Sequence, residues 1–170
     1  SNPNVINWND EADLVVIGLG GAGIAAANEA LDQGYSVIGI DKTSGGGATA
    51  RSGGIFYAGG GTPIQKEAGV EDSVENMFNY LIQETGDIVK DSTLKKFCET
   101  SAENTQWLMD NGVQFNSQYY QTKTSYPGAG YFLYHSDNSL VPSYMEKASP
   151  APRGHRGYEE GPFKPIGVGG

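Results

Sequence analysis

Apolar positions follow two different patterns in the opening part of the chain, and each pattern predicts its own element. Residues 14–17 (Leu-Val-Val-Ile) form a short, mostly β-branched apolar run, which is typical of a strand buried on both faces in a parallel sheet. The alanine-rich residues 24–31 favour a helix that ends near Gly34. A second apolar run at 37–40 predicts another strand. The order strand, helix, strand indicates an α/β fold.

The middle of the chain changes to a helical period. Residues 72–84 and 92–110 carry apolar side chains at i, i+3 and i+4, so each predicts an amphipathic helix. Ser92 is the expected N-cap of the second helix, and Asn111-Gly112 its stop. These features predict a helical segment after the strand-helix-strand unit.

The remaining third of the chain shows no clear period. Residues 119–144 hold six of the ten tyrosines, together with several Gly, Ser and Asn residues. This pattern predicts either an irregular loop packed by its own rings or one wall of a pocket for a flat apolar molecule with a carbonyl group. Residues 153–156 (Arg-Gly-His-Arg) are expected to form a solvated turn between prolines, with contact to an anion or another domain as the alternative.

Glycine placement points to chemistry at the end of the first strand. Gly18, Gly20 and Gly23 form a G-x-G-x-x-G motif between the predicted strand and helix, and Asp41 follows the second strand. In a dinucleotide site the first glycine permits the turn, the second admits the pyrophosphate, and the third lets the helix pack on the strand. The pyrophosphate lies on helix N-terminal amides, and the acid accepts ribose hydroxyls. An acid at position 41 argues against NADP.

FAD and NAD share this motif, so the next segment has to separate them. Residues 41–54 form a long loop of Gly, Ala, Ser and Thr directly after the acid, where an NAD domain would continue into another crossover helix. Many small residues and backbone amides suit a second length of extended cofactor. The loop favours FAD, although a flexible surface loop and NAD stay open on these residues alone.

Composition narrows the remaining function classes. The net charge is -9, with 11 basic against 20 acidic residues, which argues against a nucleic-acid surface. No apolar stretch reaches the roughly 20 residues of a membrane span, and a cytoplasmic protein is expected. The single cysteine, Cys98, is expected to be a passive buried thiol. His135 and His155 lie far apart without partners in sequence, so no metal site is predicted.

Several of these segments together resemble a known family. They are 13–23, Asp41-Lys42, the run Gly45-Gly-Gly-Ala-Thr-Ala-Arg-Ser-Gly-Gly54, 57–65, 75–81, 107–113, 123–127 and 150–156. The pattern resembles the FAD-dependent oxidoreductases of the fumarate reductase and 3-ketosteroid dehydrogenase family (FAD-binding 2 type), most of all the ketosteroid dehydrogenase branch. The resemblance implies FAD as cofactor and hydride transfer between substrate carbon–carbon bonds and flavin. It implies a steroid or a dicarboxylate-like substrate, without deciding between them.

The resemblance also assigns site residues. Those implied to contact FAD are Gly18, Gly20, Ala22, Gly23, Asp41, Lys42, Gly47, Ala48, Thr49, Ser52, Gly53 and Gly54. Tyr131, which follows the Tyr126-Pro127 pair, is the catalytic candidate, with a packed loop tyrosine as the alternative. Arg51 is either a solvated loop cation or a contact to a phosphate. The segment 134–139 departs from the usual pattern of the steroid branch.

The predicted architecture is the N-terminal part of an FAD-binding domain over residues 3–170: a partial, Rossmann-like fold of parallel strands, a Gly-rich turn and helices, then a helical and irregular segment. Its expected parts are a β-α-β dinucleotide unit (3–60), a helical segment (61–118) and a Tyr/Gly/Pro-rich loop segment (119–170). The capping domain and the C-terminal part of the FAD-binding domain are expected to be absent. The missing part of the same polypeptide and a second copy are the candidate protein partners. The alternative function is a truncated, non-catalytic fragment with weak or no dinucleotide binding.

Overall fold

Two short parallel strands and one helix open the fold, and the computed structural model describes it over residues 8–158. The chain divides into two units, an N-terminal unit (8–53) and a C-terminal unit (54–158) within these residues. No helix among the described residues combines the length and the apolar character needed to cross a bilayer.

The N-terminal unit has the predicted order of elements. Strands β1 (Leu14–Ile17) and β2 (Val37–Ile40) pair in parallel, and helix α1 (Gly21–Asp32) connects them. The helix begins three residues earlier than the alanine-rich run suggested, directly after the second glycine of the motif. It ends before Gly34, whose φ of +84° stops helical geometry.

One expectation for β1 is wrong. Of its four side chains only Val16 is buried, while Val15 is 50% and Ile17 84% exposed. A strand is buried on both faces only when elements cover both, and within the described residues β1 has one strand neighbour and one helix against it. The apolar run predicts the strand correctly, but its burial depends on elements that the described part of the chain does not supply.

Side chains also clamp the open end of this strand pair. The Oδ2 atom of Asp13, just before β1, accepts from both the backbone N–H (2.9 Å) and the hydroxyl (2.7 Å) of Ser36, just before β2. The Ser36 hydroxyl in turn accepts from the Asp13 amide at 3.0 Å. These bonds hold the pKa of Asp13 below its ordinary value, so the clamp is ionised at neutral pH.

Three helices of the C-terminal unit follow a short strand, β3 (Ile55–Tyr57). Helices α3 (Val74–Thr85) and α4 (Asp91–Asp110) confirm the two amphipathic predictions, and α4 ends at the predicted Asn111-Gly112. The predicted N-cap Ser92 is wrong: Lys90 occupies the cap, and Ser92 lies inside the first turn. Helix α2 (Pro63–Glu67) was not predicted, although its capping box, Thr62 with Gln65, is readable in the sequence.

The tyrosine-rich segment is more regular than expected. It contributes β4 (Tyr119–Lys123), β5 (Leu133–His135) and the short helix α5 (Pro142–Met145), and β6 (Gly154–Arg156) follows. With β3 these strands form one sheet in the order β3-β6-β5-β4, with β4 and β5 parallel and the other pairs antiparallel. Strands of three to five residues paired across long loops leave too little local pattern to be predicted.

The prediction of a solvated turn at 153–156 is wrong. Arg153 and His155 are fully buried in and before β6, in the middle of the sheet. Their neighbours in the core include Ile64, Met77, Tyr80, Leu133 and Tyr134. A basic tetrapeptide is usually solvated, but here Arg153 bonds to Asp72 and His155 contacts Thr62, and both partners lie far away in sequence.

Candidate functional site

The glycine motif makes the turn between β1 and α1 as tight as the sequence analysis required. Gly18 has a φ of +93°, and its amide donates to the Ile40 carbonyl at 2.7 Å, which ties the turn to β2. A Cβ atom on Gly23 would lie only 1.9 Å from the Gly18 carbonyl oxygen. Glycine at position 23 therefore lets the helix start directly against the strand end.

The loop after β2 lies against the N-terminus of α1. The Gly46 amide donates to the Leu19 carbonyl at 2.7 Å, and a Cβ on Gly47 would lie 3.0 Å from the Gly20 Cα. A Cβ on Gly21 would meet the Thr49 hydroxyl at 2.8 Å. Two glycine-rich backbones thus approach each other closely at the helix end.

This arrangement fits the pyrophosphate of a dinucleotide. The first amides of α1 have no intrahelical acceptor, and the positive end of the helix dipole lies there. No side chain caps the helix, since Gly20 occupies the N-cap position. Two glycine backbones without Cβ atoms leave main-chain groups open to phosphate oxygens. FAD therefore fits the residues present.

Asp41 has a second set of contacts besides its expected role toward ribose. Its Oδ2 accepts from the Leu19 amide at 2.8 Å, inside the glycine turn. Its Oδ1 accepts from the amide and the hydroxyl of Thr43, both at 2.8 Å. The bonds from Leu19 and then Thr43 hold the pKa of Asp41 below its ordinary value, so the group is an ionised acceptor. Thr43 was missed, although an Asp-x-Thr sequence is a known turn signature.

The other predicted cofactor residues lie as follows. Lys42 is exposed next to Asp41, and Ala48 precedes a 3₁₀ turn at Thr49–Arg51. Arg51 is exposed, as a solvated loop cation would be. The structure places eleven of the twelve predicted contacts in the N-terminal unit, all between Gly18 and Gly53, and the twelfth, Gly54, at the start of the C-terminal unit.

A second glycine loop, residues 59–62, bonds to side chains of the protein itself. Its four consecutive amides donate to side chains: Gly59 to Ser101, Gly60 to Asp72, and both Gly61 and Thr62 to Gln65, at 3.0–3.1 Å. Gly60 and Gly61 have φ values of +73° and +89°. The amides of this loop donate to side chains of the protein and are not open to a ligand, so its glycines serve to form the turn.

A buried ion pair supports that loop. Arg153 donates from Nε to Oδ2 and from Nη2 to Oδ1 of Asp72, both at 2.9 Å, and both side chains are fully buried. The guanidinium also lies 5.2 Å from the centroid of the Tyr80 ring. Burial alone would raise the pKa of Asp72, but the hydrogen bonds and charge of Arg153 outweigh it, and the pKa is lowered. The pair is ionised at neutral pH.

Tyr131 lies in the C-terminal unit, in the loop between β4 and β5. Its side chain is 40% exposed and meets the Tyr120 ring edge-on, with centroids 5.1 Å apart. Its amide donates to the Gly128 carbonyl at 3.3 Å. An exposed phenol beside a second ring can contact a flat apolar molecule and also exchange a hydrogen bond with it.

Cys98, His135 and His155 are buried and contact other groups of the protein. Cys98 is buried, and burial raises the pKa of its thiol to about 11, so it is protonated and a poor nucleophile. The His155 Nε2 atom lies 2.8 Å from the Thr62 hydroxyl oxygen, and burial lowers the pKa of His155 to about 4. His135 contacts the Tyr119 hydroxyl at 2.6 Å. No cluster of metal-ligating residues occurs between residues 8 and 158.

Comparison with known proteins agrees with this geometry. The family model described as an FAD binding domain matches residues 13–156. The 3-oxo-5-alpha-steroid 4-dehydrogenase of Comamonas testosteroni is 43% identical over 154 residues, which are 89% of this chain and 29% of that protein. The NADH:fumarate oxidoreductase of Klebsiella pneumoniae is 35% identical over 106 residues, 61% of this chain and 11% of that protein.

A solved structure is similar over nearly the whole chain. The 3-ketosteroid-delta4-(5alpha)-dehydrogenase from Rhodococcus jostii RHA1, in complex with 4-androstene-3,17-dione, superposes with a TM-score of 0.86 at 40% identity. The match covers 95% of this chain and 34% of that one, so the chain spans about a third of the length of these relatives. Because the family model matches the chain from Asp13 to Arg156, the chain belongs to the FAD-binding domain family of flavoprotein oxidoreductases that includes 3-ketosteroid dehydrogenases and fumarate reductases.

Proposed function

We propose that the chain is the N-terminal part of an FAD-dependent oxidoreductase that acts on a CH–CH bond of a 3-ketosteroid-like substrate. The observation that carries the proposal is the extent of the match. Two steroid 4-dehydrogenases match 89–95% of the chain at 40–43% identity, whereas the fumarate oxidoreductase matches 61% at 35%. The reaction moves a hydride between one substrate carbon and the cofactor, and a proton between the neighbouring carbon and a protein group.

The N-terminal unit supplies eleven of the twelve cofactor contacts in this proposal. When bound, FAD supplies the hydride chemistry. Amides at Gly20, Ala22 and Gly23 would bind the pyrophosphate, and Asp41 a ribose hydroxyl. Lys42 and the remaining predicted residues would flank these contacts, namely Gly18, Gly47, Ala48, Thr49, Ser52, Gly53 and Gly54. Thr43 braces Asp41, because it donates two hydrogen bonds to the oxygen that the glycine turn does not use.

Tyr131 is the proposed substrate contact. Its exposed phenol combines an apolar ring with a hydroxyl, which suits a flat steroid that carries a carbonyl oxygen. The neighbouring Tyr120 ring enlarges the apolar surface on one side. A hydrogen bond from the phenol to the carbonyl would polarise the adjacent C–H bond and thus favour proton loss.

The proposed organisation is part of a longer polypeptide. Residues 3–170 would form one portion of the FAD-binding domain, and the rest of the same polypeptide would cover the exposed apolar side chains of β1, Val15 and Ile17. A second copy of the chain is a further candidate partner. A cytoplasmic location is part of the proposal, because the single cysteine is buried and forms no disulfide.

One observation favours the alternative of a non-catalytic fragment. The parallel sheet of the N-terminal unit has only two strands among the described residues, and sheets of that size are marginally stable in water. A cofactor site held by such a sheet would bind dinucleotide weakly. Retained yellow colour after purification, and quenching of flavin fluorescence on titration with FAD, support the flavoprotein. A colourless protein that does not quench the flavin supports the alternative.

The substrate class is tested on the FAD-loaded protein. Turnover of a saturated 3-ketosteroid with an artificial electron acceptor, without reduction of fumarate by a reduced dye, supports the steroid proposal. The reverse pattern would replace it with a fumarate-type activity. Tyr131→Phe removes only the phenol oxygen and should slow steroid turnover by roughly 10²-fold or more. The matched control is Tyr35→Phe, an exposed tyrosine of the N-terminal unit, which should have no effect.

A further inference from the structure

Arg156 lies between two aromatic rings at the end of β6. Its guanidinium carbon is 4.7 Å from the centroid of Tyr126 and 5.7 Å from that of Phe132. Its Nη1 atom donates to the Gly128 carbonyl at 3.5 Å, and its backbone amide donates to the Phe132 carbonyl at 2.8 Å. The Phe132 ring in turn packs on Tyr158, with centroids 4.9 Å apart. The Arg156 side chain therefore contacts the first residue of the loop 126–131, the Gly128 carbonyl within it and Phe132, which directly follows it.

The loop is also held by a hydrogen bond from the Thr124 hydroxyl to the Tyr126 carbonyl at 3.0 Å and by the Tyr131 ring against Tyr120. Gly128 and Gly130 have no atoms within 4 Å of an added Cβ, and Gly130 has a φ of +85°. Two glycines in a six-residue loop give it a large conformational entropy to lose. Its one buried member is Pro127, next to the ring that Arg156 covers. The loop ends at Tyr131, whose amide bonds to the same Gly128 carbonyl that Arg156 contacts.

We propose that Arg156 is a positioning residue that fixes the loop 126–131 and with it the Tyr131 ring. The planar guanidinium stacks on Tyr126 while its N–H groups reach the Gly128 carbonyl, a combination that the point charge of lysine does not reproduce. The consequence for substrate binding rests on the proposed function, in which Tyr131 contacts the steroid. The fixed loop itself does not depend on that function.

The variants are chosen to remove the contacts of Arg156 with Tyr126 and the Gly128 carbonyl without creating a cavity. Arg156→Met keeps an unbranched side chain as long as the aliphatic part of arginine and loses the guanidinium with its charge and N–H donors, and Arg156→Lys keeps the charge. Tyr126→Leu removes the stacked ring from the other side and leaves β6 untouched, so it tests the same contact if Arg156→Met does not fold. Lys95→Met on α4, where the lysine is 66% exposed, is the matched control for losing one cation.

Limited digestion with chymotrypsin gives a readout that needs no substrate. The enzyme does not cut Tyr126 because proline follows it, so cleavage after Tyr131 reports the loop. Arg156→Met and Tyr126→Leu should each speed this cleavage by about threefold to tenfold. Arg156→Lys should fall between them and the unaltered protein. Combining the two changes should add little to either. Cleavage of Arg156→Met and Tyr126→Leu at the rate of the unaltered protein would overturn the proposal.

Binding of 4-androstene-3,17-dione to the FAD-loaded protein, followed by the flavin absorbance, links the loop to the substrate. Arg156→Met should weaken binding by about tenfold, with Lys95→Met unchanged. If the unaltered protein does not bind the steroid, the proposed function fails, while faster cleavage still establishes the role of Arg156. If the steroid binds equally well to Arg156→Met, Arg156 does not position Tyr131 for substrate, and the inference is wrong.

Discussion

Asp72→Asn tests whether the ion pair with Arg153 holds the C-terminal unit together. The Asp72 carboxylate accepts five hydrogen bonds, from the Gly60 amide, Gln65, Asn76 and two atoms of Arg153. An amide in its place turns one acceptor oxygen into a donor, so at least two of these donors lose their partner whichever way the amide points. Arg153 also keeps a full charge in a site with no solvent contact.

The expected loss follows from that geometry. Breaking a buried, hydrogen-bonded ion pair by removing one partner costs about 3–5 kcal/mol when the other charge is left without a partner. Here Asp137 Oδ2 remains 3.7 Å from Arg153 Nη1, so we expect a loss at the lower end of that range, about 3 kcal/mol. The free energy of unfolding is measured with urea through the fluorescence of Trp107, which lies on α4. The second tryptophan, Trp8, is 80% exposed and contributes little change on unfolding. Glu103→Gln removes an exposed negative charge from the same helix, and should change the unfolding free energy by less than about 0.5 kcal/mol.

A double variant separates the pair from its parts. Asp72→Leu with Arg153→Met replaces both charges by apolar groups and leaves neither charge buried alone. Its loss should therefore be much smaller than the sum of the two single losses. A loss below about 1 kcal/mol for Asp72→Asn, or strict additivity in the double variant, would show that the pair does not carry the stability attributed to it.

The pH dependence provides an independent check on the same carboxylate. The folded-state pKa of Asp72 is lowered, so its contribution to stability is complete above its ordinary pKa of 3.8 and is lost as the pH falls through the folded value. The unaltered protein should lose this contribution in that acid range, whereas Asp72→Asn has no such carboxylate and should show a shallower decline there. Parallel declines would contradict the interpretation.

Three further predictions follow from single residues. Gly23→Ala should lower FAD affinity by at least about tenfold (~1.4 kcal/mol), because the new Cβ would lie 1.9 Å from the Gly18 carbonyl oxygen. Fluorescence titration with FAD measures the affinity, and Gly128→Ala, which has open space around its Cβ, is the control. An unchanged affinity would contradict the close approach of Gly23 and Gly18. Cys98 should react slowly with a thiol reagent in the native protein and rapidly in urea, because its thiol is buried and has a pKa of about 11. A fast reaction of the native protein with the reagent would disprove the burial of Cys98. The free energy of unfolding should fall as the pH drops from 6.5 toward about 4, because His155 binds a proton in the unfolded chain at a higher pH than in the folded one. His155→Asn should make this decline with pH shallower. Equal slopes for the variant and the unaltered protein would refute the prediction.

The strand-turn-helix-strand order could be predicted because its determinants are local. The β-branched run, the glycine motif and the acid at position 41 lie within about thirty residues of one another. The residue types themselves indicate the strand, the turn with a positive φ at Gly18, and the acceptor that follows the second strand. The α3 and α4 helices were predictable for the same reason, since their apolar spacing repeats over several turns. FAD as the cofactor followed from the loop after Asp41 and the family resemblance, and the family match confirms it.

The rest depends on pairings that local sequence does not encode. Arg153 meets Asp72 across 81 residues, and β3 meets β6 across nearly a hundred. Nothing near Arg153 in sequence indicates that its charge will be neutralised in the core, so solvation was the natural expectation. The N-cap of α4 was misplaced because Ser92 is a favoured cap residue, yet the N-cap lies two residues earlier, at Lys90.

Deuterium exchange at the amides of the loop 59–62 reports the opening of the C-terminal unit. The four successive amides of the loop bond to side chains from α2, from α4 and from Asp72, just before α3. The acceptors of the Gly59 and Gly60 amides lie 42 and 12 residues away, so these two bonds open only when α4 and the segment before α3 move away from the loop. The Gly59 and Gly60 amides should therefore exchange with deuterium through opening of the whole unit, whereas the Gly61 and Thr62 amides, bonded to Gln65 in the same turn, exchange also by local opening of α2.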